Sequence, residues 1–321
     1  MNIQRVHVGS ALLLALGLAV VSPAAAQSGN APPPEVVSLV TKDGVQLKCT
    51  YFPAAVRRGS AEAKQVTPVV LLHDSKGTRA MFTPLAERLQ SPSEGEPARP
   101  SFAVVAVDLR AHGESTKQVY NGNQIDLDPA RLGKNDLIAM AVYDMEAVRS
   151  FLVERNDAGE MNLNKLSIIG SGMGASVAAN WAVQDWTAPP LAVGKQGQDV
   201  KALVLVSPRW SYNGLSMQLP MKSRPLKQNV AWMLIYGEND AKVKADALRI
   251  KKQLERFHPA ADQAGAQRPS GLVEVKLATK LQGDSLLSQV GTNVEQQIVK
   301  FLVENVANVQ RPWTSQRDRL P

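Results

Sequence analysis

The sequence predicts an α/β fold: a mostly parallel sheet with helices on both faces and a minimal lid. Three observations carry this. After an opening hairpin, short apolar runs alternate with amphipathic segments to the end of the chain, as parallel strands joined by crossover helices do. At the centre, Leu166 to Val177 sets an apolar run against a glycine-packed turn and an alanine-rich segment, which reads as strand, sharp turn and helix. The 321 residues contain one cysteine, Cys49, so stability must come from a buried core rather than a disulfide within the chain.

In chain order, residues 1–26 read as a cleaved signal peptide. Arg5 supplies the charged start, Ala11 to Val21 an apolar core, and Ala24-Ala25-Ala26 a small-residue cleavage site. The apolar core is short for a membrane span, and no later stretch is longer; an uncleaved anchor is the alternative. Secretion or a periplasmic location follows. Residues 27–34 form a polar, proline-containing linker. Val36 to Thr41 and Val45 to Phe52 alternate around Asp43-Gly44, a hairpin signal that leaves Cys49 a small packed hydrophobe. Val66 to His73 is a buried strand, Met81 to Gln90 a helix, Ser91 to Pro100 a loop and Phe102 to Asp108 a second buried strand. Thr116 to Lys134 is a polar connection and Asn135 to Arg155 an amphipathic helix. Lys165 to Ile169 leads into the glycine-packed turn. Ala202 to Val206 and Val230 to Tyr236 are further strands; Ser207 to Asn229 between them leaves room only for a small lid. Ala241 to Phe257 is a helix, Leu272 to Ala278 the last strand and Val294 to Val306 the closing helix. One domain over 35–307 and a basic polar tail over 308–321 complete the plan.

The net charge is +7, about +6 without the leader; the lysines and arginines are scattered, with no stripe alternating with aromatics, which argues against nucleic-acid binding. Basicity serves solubility, or adhesion to anionic envelope surfaces.

Several motifs follow successive strands: Leu71-Leu-His-Asp-Ser-Lys-Gly77, Asp108-Leu-Arg-Ala-His-Gly-Glu-Ser115, Gly170-Ser-Gly-Met-Gly174 and Tyr236-Gly-Glu-Asn-Asp240. In this order they resemble the α/β-hydrolase superfamily over nearly the whole mature chain. The Asp-x-Arg-x-His-Gly-x-Ser segment is the most specific piece. The resemblance implies a serine on a strained G-x-S-x-G apex, then an acid, then a histidine, acting together on esters, amides and related bonds. Carried over position by position, the apex is Gly172, which has no side chain to attack with. The acid position is Asp240, and the histidine position falls at Gln282. The histidines of the mature chain are His73, His112 and His258. His112 belongs to a turn that is structural in the superfamily, and His258 should lie at the amino end of the strands. His73 begins the loop that the superfamily uses for its oxyanion hole, and alone could approach the site. Its plainer role is to brace that loop. His73, Asp74, Ser171 and Met173 are the residues expected to line the cleft.

Other patterns weigh less. Gly170-Ser-Gly-Met-Gly-Ala175 fits the dinucleotide fingerprint, but the acidic residue it needs has only Asp185 as a candidate, at a helix end. Ser171 lacks a partner base. Ser75 and Lys76 are adjacent, and adjacent side chains rarely face each other. Glu238, Asp240 and Asp284 make a weak metal set without histidine. Trp181, Trp186, Trp210 and Trp232 suit a core better than a sugar site. The sequence therefore predicts an exported, catalytically inactive α/β-hydrolase-fold protein that binds a small ligand or a protein partner. It predicts no cofactor, metal, nucleic acid or membrane span. Hydrolysis of ester-like substrates by a serine or an atypical group is the alternative, and dinucleotide binding a third.

Overall fold

A computed structural model describes residues 31–92, 98–258, 271–288 and 293–319. The predicted leader and residues 27–30 of the predicted linker lie outside the described residues. The opening pair, β1 (Glu35–Val40) and β2 (Val45–Phe52), is antiparallel, with Gly44 in the turn at a φ of 85°. β3 (Thr67–Leu72) and β4 (Phe102–Asp108) are apolar runs buried along their whole length, as the centre of a parallel sheet requires. A hairpin, β5 (Lys117–Tyr120) and β6 (Asn123–Asp126), precedes β7 (Leu166–Ser171), β8 (Val200–Val206), the two-residue pair β9 (Ser211–Tyr212) and β10 (Leu215–Ser216), β11 (Ala231–Gly237) and β12 (Leu272–Leu277). The main sheet runs β12-β11-β8-β7-β3-β4-β2-β5-β6, with β1 also on β2. Its pairs from β12 to β4 are parallel and those around β2 antiparallel.

Helices α1 (Thr83–Gln90), α2 (Lys134–Ala139), α3 (Met145–Asp157), α4 (Met173–Thr187), α5 (Gln218–Lys222), α6 (Arg224–Asn229), α7 (Ala241–Leu254), α8 (Asp284–Leu287) and α9 (Val294–Leu302) cover both faces. One core joins α3 and α4 to Val70, Leu72, Ile168 and Leu203; the other joins α1 and α9 to Val69, Leu71, Ile169 and Val204. Neighbouring strand residues thus feed opposite cores, so both faces of each central strand are apolar. The parallel sheet and two-sided helical cover agree with the predicted fold class. Between β8 and β11 lie only the β9–β10 pair and two short helices.

Two segments differ from expectation. The connection over 116–134 contains the β5–β6 hairpin. Asn121 and Gly122, at φ of 49° and 77°, form the two-residue turn between its strands, and a mainly exposed, polar pair gives no alternating apolar signal. The helix expected over 135–155 is interrupted by a π-helical turn at Met140–Asp144. Asp144 in that turn accepts from the Arg110 guanidinium, whose other edge holds Asp43 at 2.7 Å.

Residues 310–319, within the expected tail, run against the domain. Asn156, Asn162 and Asn164 donate to the carbonyls of Thr314, Arg311 and Pro312, at 3.0, 2.9 and 2.6 Å. Deeper, Arg149 and Asp199 are wholly buried and paired at 3.0 Å. Gln316 joins them, accepting from Arg149 and donating to Asp199, while the Arg317 carbonyl takes another Arg149 N–H at 3.0 Å. Arg319 pairs with Glu146 at 2.8 Å.

Candidate active site

The turn between β7 and α4 is tight because its outer glycines lie against backbone. A Cβ on Gly174 would stand 2.3 Å from the Leu72 carbonyl oxygen, and one on Gly170 would stand 2.5 Å from the Gly174 carbonyl oxygen. Gly172 at the apex has a φ of 46° and a ψ of −103°, and its N–H donates to the Val206 carbonyl at 2.9 Å. Glycine adopts such a conformation freely, whereas any other residue is strained there.

Asp74, on the loop after β3, reaches across to this apex. Its Oδ1 accepts from the Met173 and Ser75 N–H groups, both at 2.8 Å. A Cβ on Gly172 would lie 2.1 Å from the Asp74 carboxyl carbon, and one on Gly283 would lie 2.5 Å from its Oδ2. The carboxylate therefore sits between the apex and the loop after β12, in space that two missing side chains leave open. The Asp74 N–H donates to the Asp284 carboxylate at 3.1 Å. Burial raises the Asp284 pKa and the Asp74 charge adds to the rise, while the Ser171 hydroxyl and Asp74 amide oppose it. The Tyr212 phenol lies beside Ser75; burial and the Asp74 charge raise its pKa.

The positions expected for acid and histidine are bound elsewhere. Asp240 caps α7, accepting from the Lys242 and Val243 N–H groups at 3.0 Å each. Gln282 Oε1 accepts from the Ser207 hydroxyl at 2.7 Å, and its Nε2 donates to the Gly237 carbonyl at 2.8 Å. Ser207 also accepts from the Gly283 N–H at 2.8 Å, fastening the loop after β12 to the end of β8. No sequence signal marked Ser207, because its role exists only where three segments distant in sequence meet.

Of the four residues expected to line the cleft, Asp74 is partly exposed, and His73, Ser171 and Met173 are buried. The Met173 side chain packs in the core and contributes its backbone N–H to the site. His73 Nε2 accepts from the Leu109 N–H at 3.1 Å, so the ring proton is on Nδ1, which donates to the Asp74 carbonyl at 2.6 Å. Burial lowers the His73 pKa to about 4. In the unfolded chain this ring titrates near its ordinary value, so between about pH 6.5 and 4 the unfolded state binds the extra proton. Stability is full above that window and falls through it, by about 3 kcal/mol for this residue. Urea unfolding from neutral pH to pH 4 should show this slope in the wild type and lose most of it in His73→Gln; an equal slope in both would refute the assignment.

His112 Nδ1 donates to the Arg110 carbonyl at 2.9 Å, inside a turn whose Asp108 binds the Arg79 side chain and the Arg79 and Glu114 N–H groups. His258 lies against Gly271, just before β12 and away from the apex. Asp185 is buried, accepting from the Asp199 and Val200 N–H groups at 2.7 and 3.0 Å. Burial, then the nearby Asp199 charge, raises its pKa to about 6, and its carboxylate is committed within the protein rather than offered to a ribose. Among the described residues, no three His, Cys, Asp or Glu side chains gather as a metal site would need.

Residues 69–295 match the model of the alpha/beta hydrolase family. The chain belongs to that family. No curated protein matches it in sequence. Among solved structures, a dienelactone hydrolase from Anabaena variabilis is similar at 19% identity and a TM-score of 0.56, covering 86% of this chain and 100% of its own. A Pyrobaculum calidifontis esterase is similar at 14% identity and a TM-score of 0.57, covering 86% of this chain and 87% of its own. A Pyrococcus furiosus esterase shares 14% identity and a TM-score of 0.52, over 88% of this chain and 96% of its own. At such identities the likeness is one of fold. In α/β-hydrolases the oxyanion hole joins the N–H after the nucleophile to one from the loop after the third strand. Here the N–H after the apex, that of Met173, and the Ser75 N–H on the loop after β3 both donate to Asp74.

Proposed function

We propose that this α/β-hydrolase binds a small ligand or a protein partner and does not perform serine-type hydrolysis. The observation that carries this reading is Asp74. Its carboxylate fills the pair of N–H groups that would stabilise a transition-state oxyanion, and such donors supply about 3–4 kcal/mol of catalysis where they are free. Gly172 offers no nucleophile, and Gln282 at the histidine position has no basic nitrogen and is bound to Ser207 and Gly237. Losing members of such a triad removes several powers of ten in rate. The leader over 1–26, with its small-residue site before Gln27, supports export to the periplasm or medium.

Hydrolysis of ester-like substrates by another group is the second reading, supported by the likeness of this fold to solved esterases. Labelling with a fluorophosphonate probe and turnover of short-chain nitrophenyl esters separate the two. No labelled serine and no turnover above a heat-denatured control are expected. A single labelled serine would overturn the binding reading and identify the nucleophile.

A further inference from the structure

A second feature lies apart from the apex and does not depend on how that site is read. Residues 207–258 contain ten Lys and Arg against four Asp and Glu, so six of the seven net positive charges of the chain fall in this stretch. No basic run announces this in the sequence; folding gathers the charges. α5 packs against both α6 and α7, and α7 turns Val243, Ala247, Ile250 and Leu254 inward. That leaves Lys242, Arg249 and Lys252 exposed on α7 and Arg256 just beyond it, with Lys222 and Arg224 exposed on α5 and α6.

Among the described residues, no carboxylate partners Lys222, Arg224, Lys242 or Lys252, whereas Lys251 is neutralised by Glu274 at 2.8 Å. Two leucines stand among these cations: Leu219 on α5 is 57% exposed and Leu248 on α7 is 41% exposed. Isolated exposed leucines are ordinary. Leucines set within a surface of unpaired cations have the makeup of a face that lies on a charged interface, with side chains entering the acyl boundary and lysines and arginines meeting headgroups.

We propose that the exposed face of α5, α6 and α7 docks onto an anionic lipid surface. Its charge suits any polyanion, but its apolar groups favour lipid. A single-stranded nucleic acid needs open aromatic platforms. Here Arg249 covers Trp210 at 3.6 Å, and Lys227 and Arg256 lie over Phe257 at 4.8 Å each. Leu219 and Leu248 instead offer flexible apolar side chains suited to hydrocarbon.

Flotation of the chain from Gln27 onward, which keeps every residue the structure describes, tests this. The vesicles are phosphatidylglycerol in phosphatidylcholine, against phosphatidylcholine alone. Binding is expected only to the anionic vesicles and should weaken as salt rises. The combined variant Lys222→Gln, Arg224→Gln, Lys242→Gln and Lys252→Gln should bind at least about tenfold more weakly. The pair Leu219→Ser and Leu248→Ser should lose several-fold at every salt concentration. All six positions are exposed, so urea midpoints near wild type will confirm that both variants fold. Equal binding to both vesicle types, no binding, or wild-type binding by the four-charge variant would overturn the proposal. Binding to RNA or an acidic polysaccharide without binding to lipid would also overturn it and assign the face to a soluble polyanion.

Discussion

Gly172→Ser yields no esterase and a less stable protein. The substitution restores a side chain to the apex, but its Cβ arrives 2.1 Å from the Asp74 carboxyl carbon. Asp74 must leave, giving up its bonds to the Met173 and Ser75 N–H groups, and the new residue must hold a φ of 46° without glycine's freedom. Together these cost about 2–4 kcal/mol. Asp74→Ala alone frees the hole and should have a smaller effect. In the double variant the collision is gone, so the losses fall short of their sum by at least about 1 kcal/mol. Turnover of nitrophenyl esters should stay at background in all three proteins, because no histidine stands at position 282. Urea unfolding gives the coupling. Additive effects would mean that Asp74 does not occupy the apex, and turnover from Gly172→Ser alone would mean that a base is already in place.

Arg149→Met will be among the most damaging single substitutions. Arg149 and Asp199 are both fully buried, and the Arg149 guanidinium also holds the Gln316 side chain and the Arg317 carbonyl. Removing one partner of a buried ion pair leaves the other charge uncompensated, at about 3–5 kcal/mol. Lys195 remains on Asp199 at 2.6 Å, which sets the expected loss toward the lower end. Chain termination after Val309 removes residues on the same network, so its effect and that of Arg149→Met should be strongly non-additive. Urea midpoints for the two variants and their combination check this. A loss below about 1 kcal/mol for Arg149→Met would show that the pair is dispensable.

Much of the fold could be read from the chain because its central strands are continuous apolar runs separated by amphipathic helices. Thr67–Leu72 and Phe102–Asp108 announce buried parallel strands without any partner in view. The β5–β6 hairpin was harder to see: exposed on most of its positions, it has no apolar alternation, and only Asn121-Gly122 marks it. The frame of the site was also legible, since Gly170, Gly172 and Gly174 are spaced for the turn they make. What fills that frame was not. Asp74 reaches Met173 across 99 positions, and Ser207 reaches Gln282 across 75. Each motif is local, but the bonds between motifs depend on which loops the sheet order brings together. Residues 310–319 read as part of a basic polar tail, and that reading says nothing of the bonds they make. Asn156, Asn162, Asn164 and Arg149 bind main-chain carbonyls there, which any residue supplies, and the Gln316 side chain reaches Arg149 and Asp199, so no residue pattern marks the contact.

Residues 310–319 also carry a consequence for how the domain opens. Arg149 meets Arg317 and Gln316 across separations of 168 and 167 positions, so this seam closes one of the longest loops in the fold. When residues 310–319 lift away, Arg149 keeps Asp199, while Asn156, Asn162 and Asn164 lose the carbonyls they donate to. The seam is therefore a unit that can open while the sheet stays whole. Removing residues 310–319 would leave the apex and both cores encoded in full and still take away the bonds that close the seam.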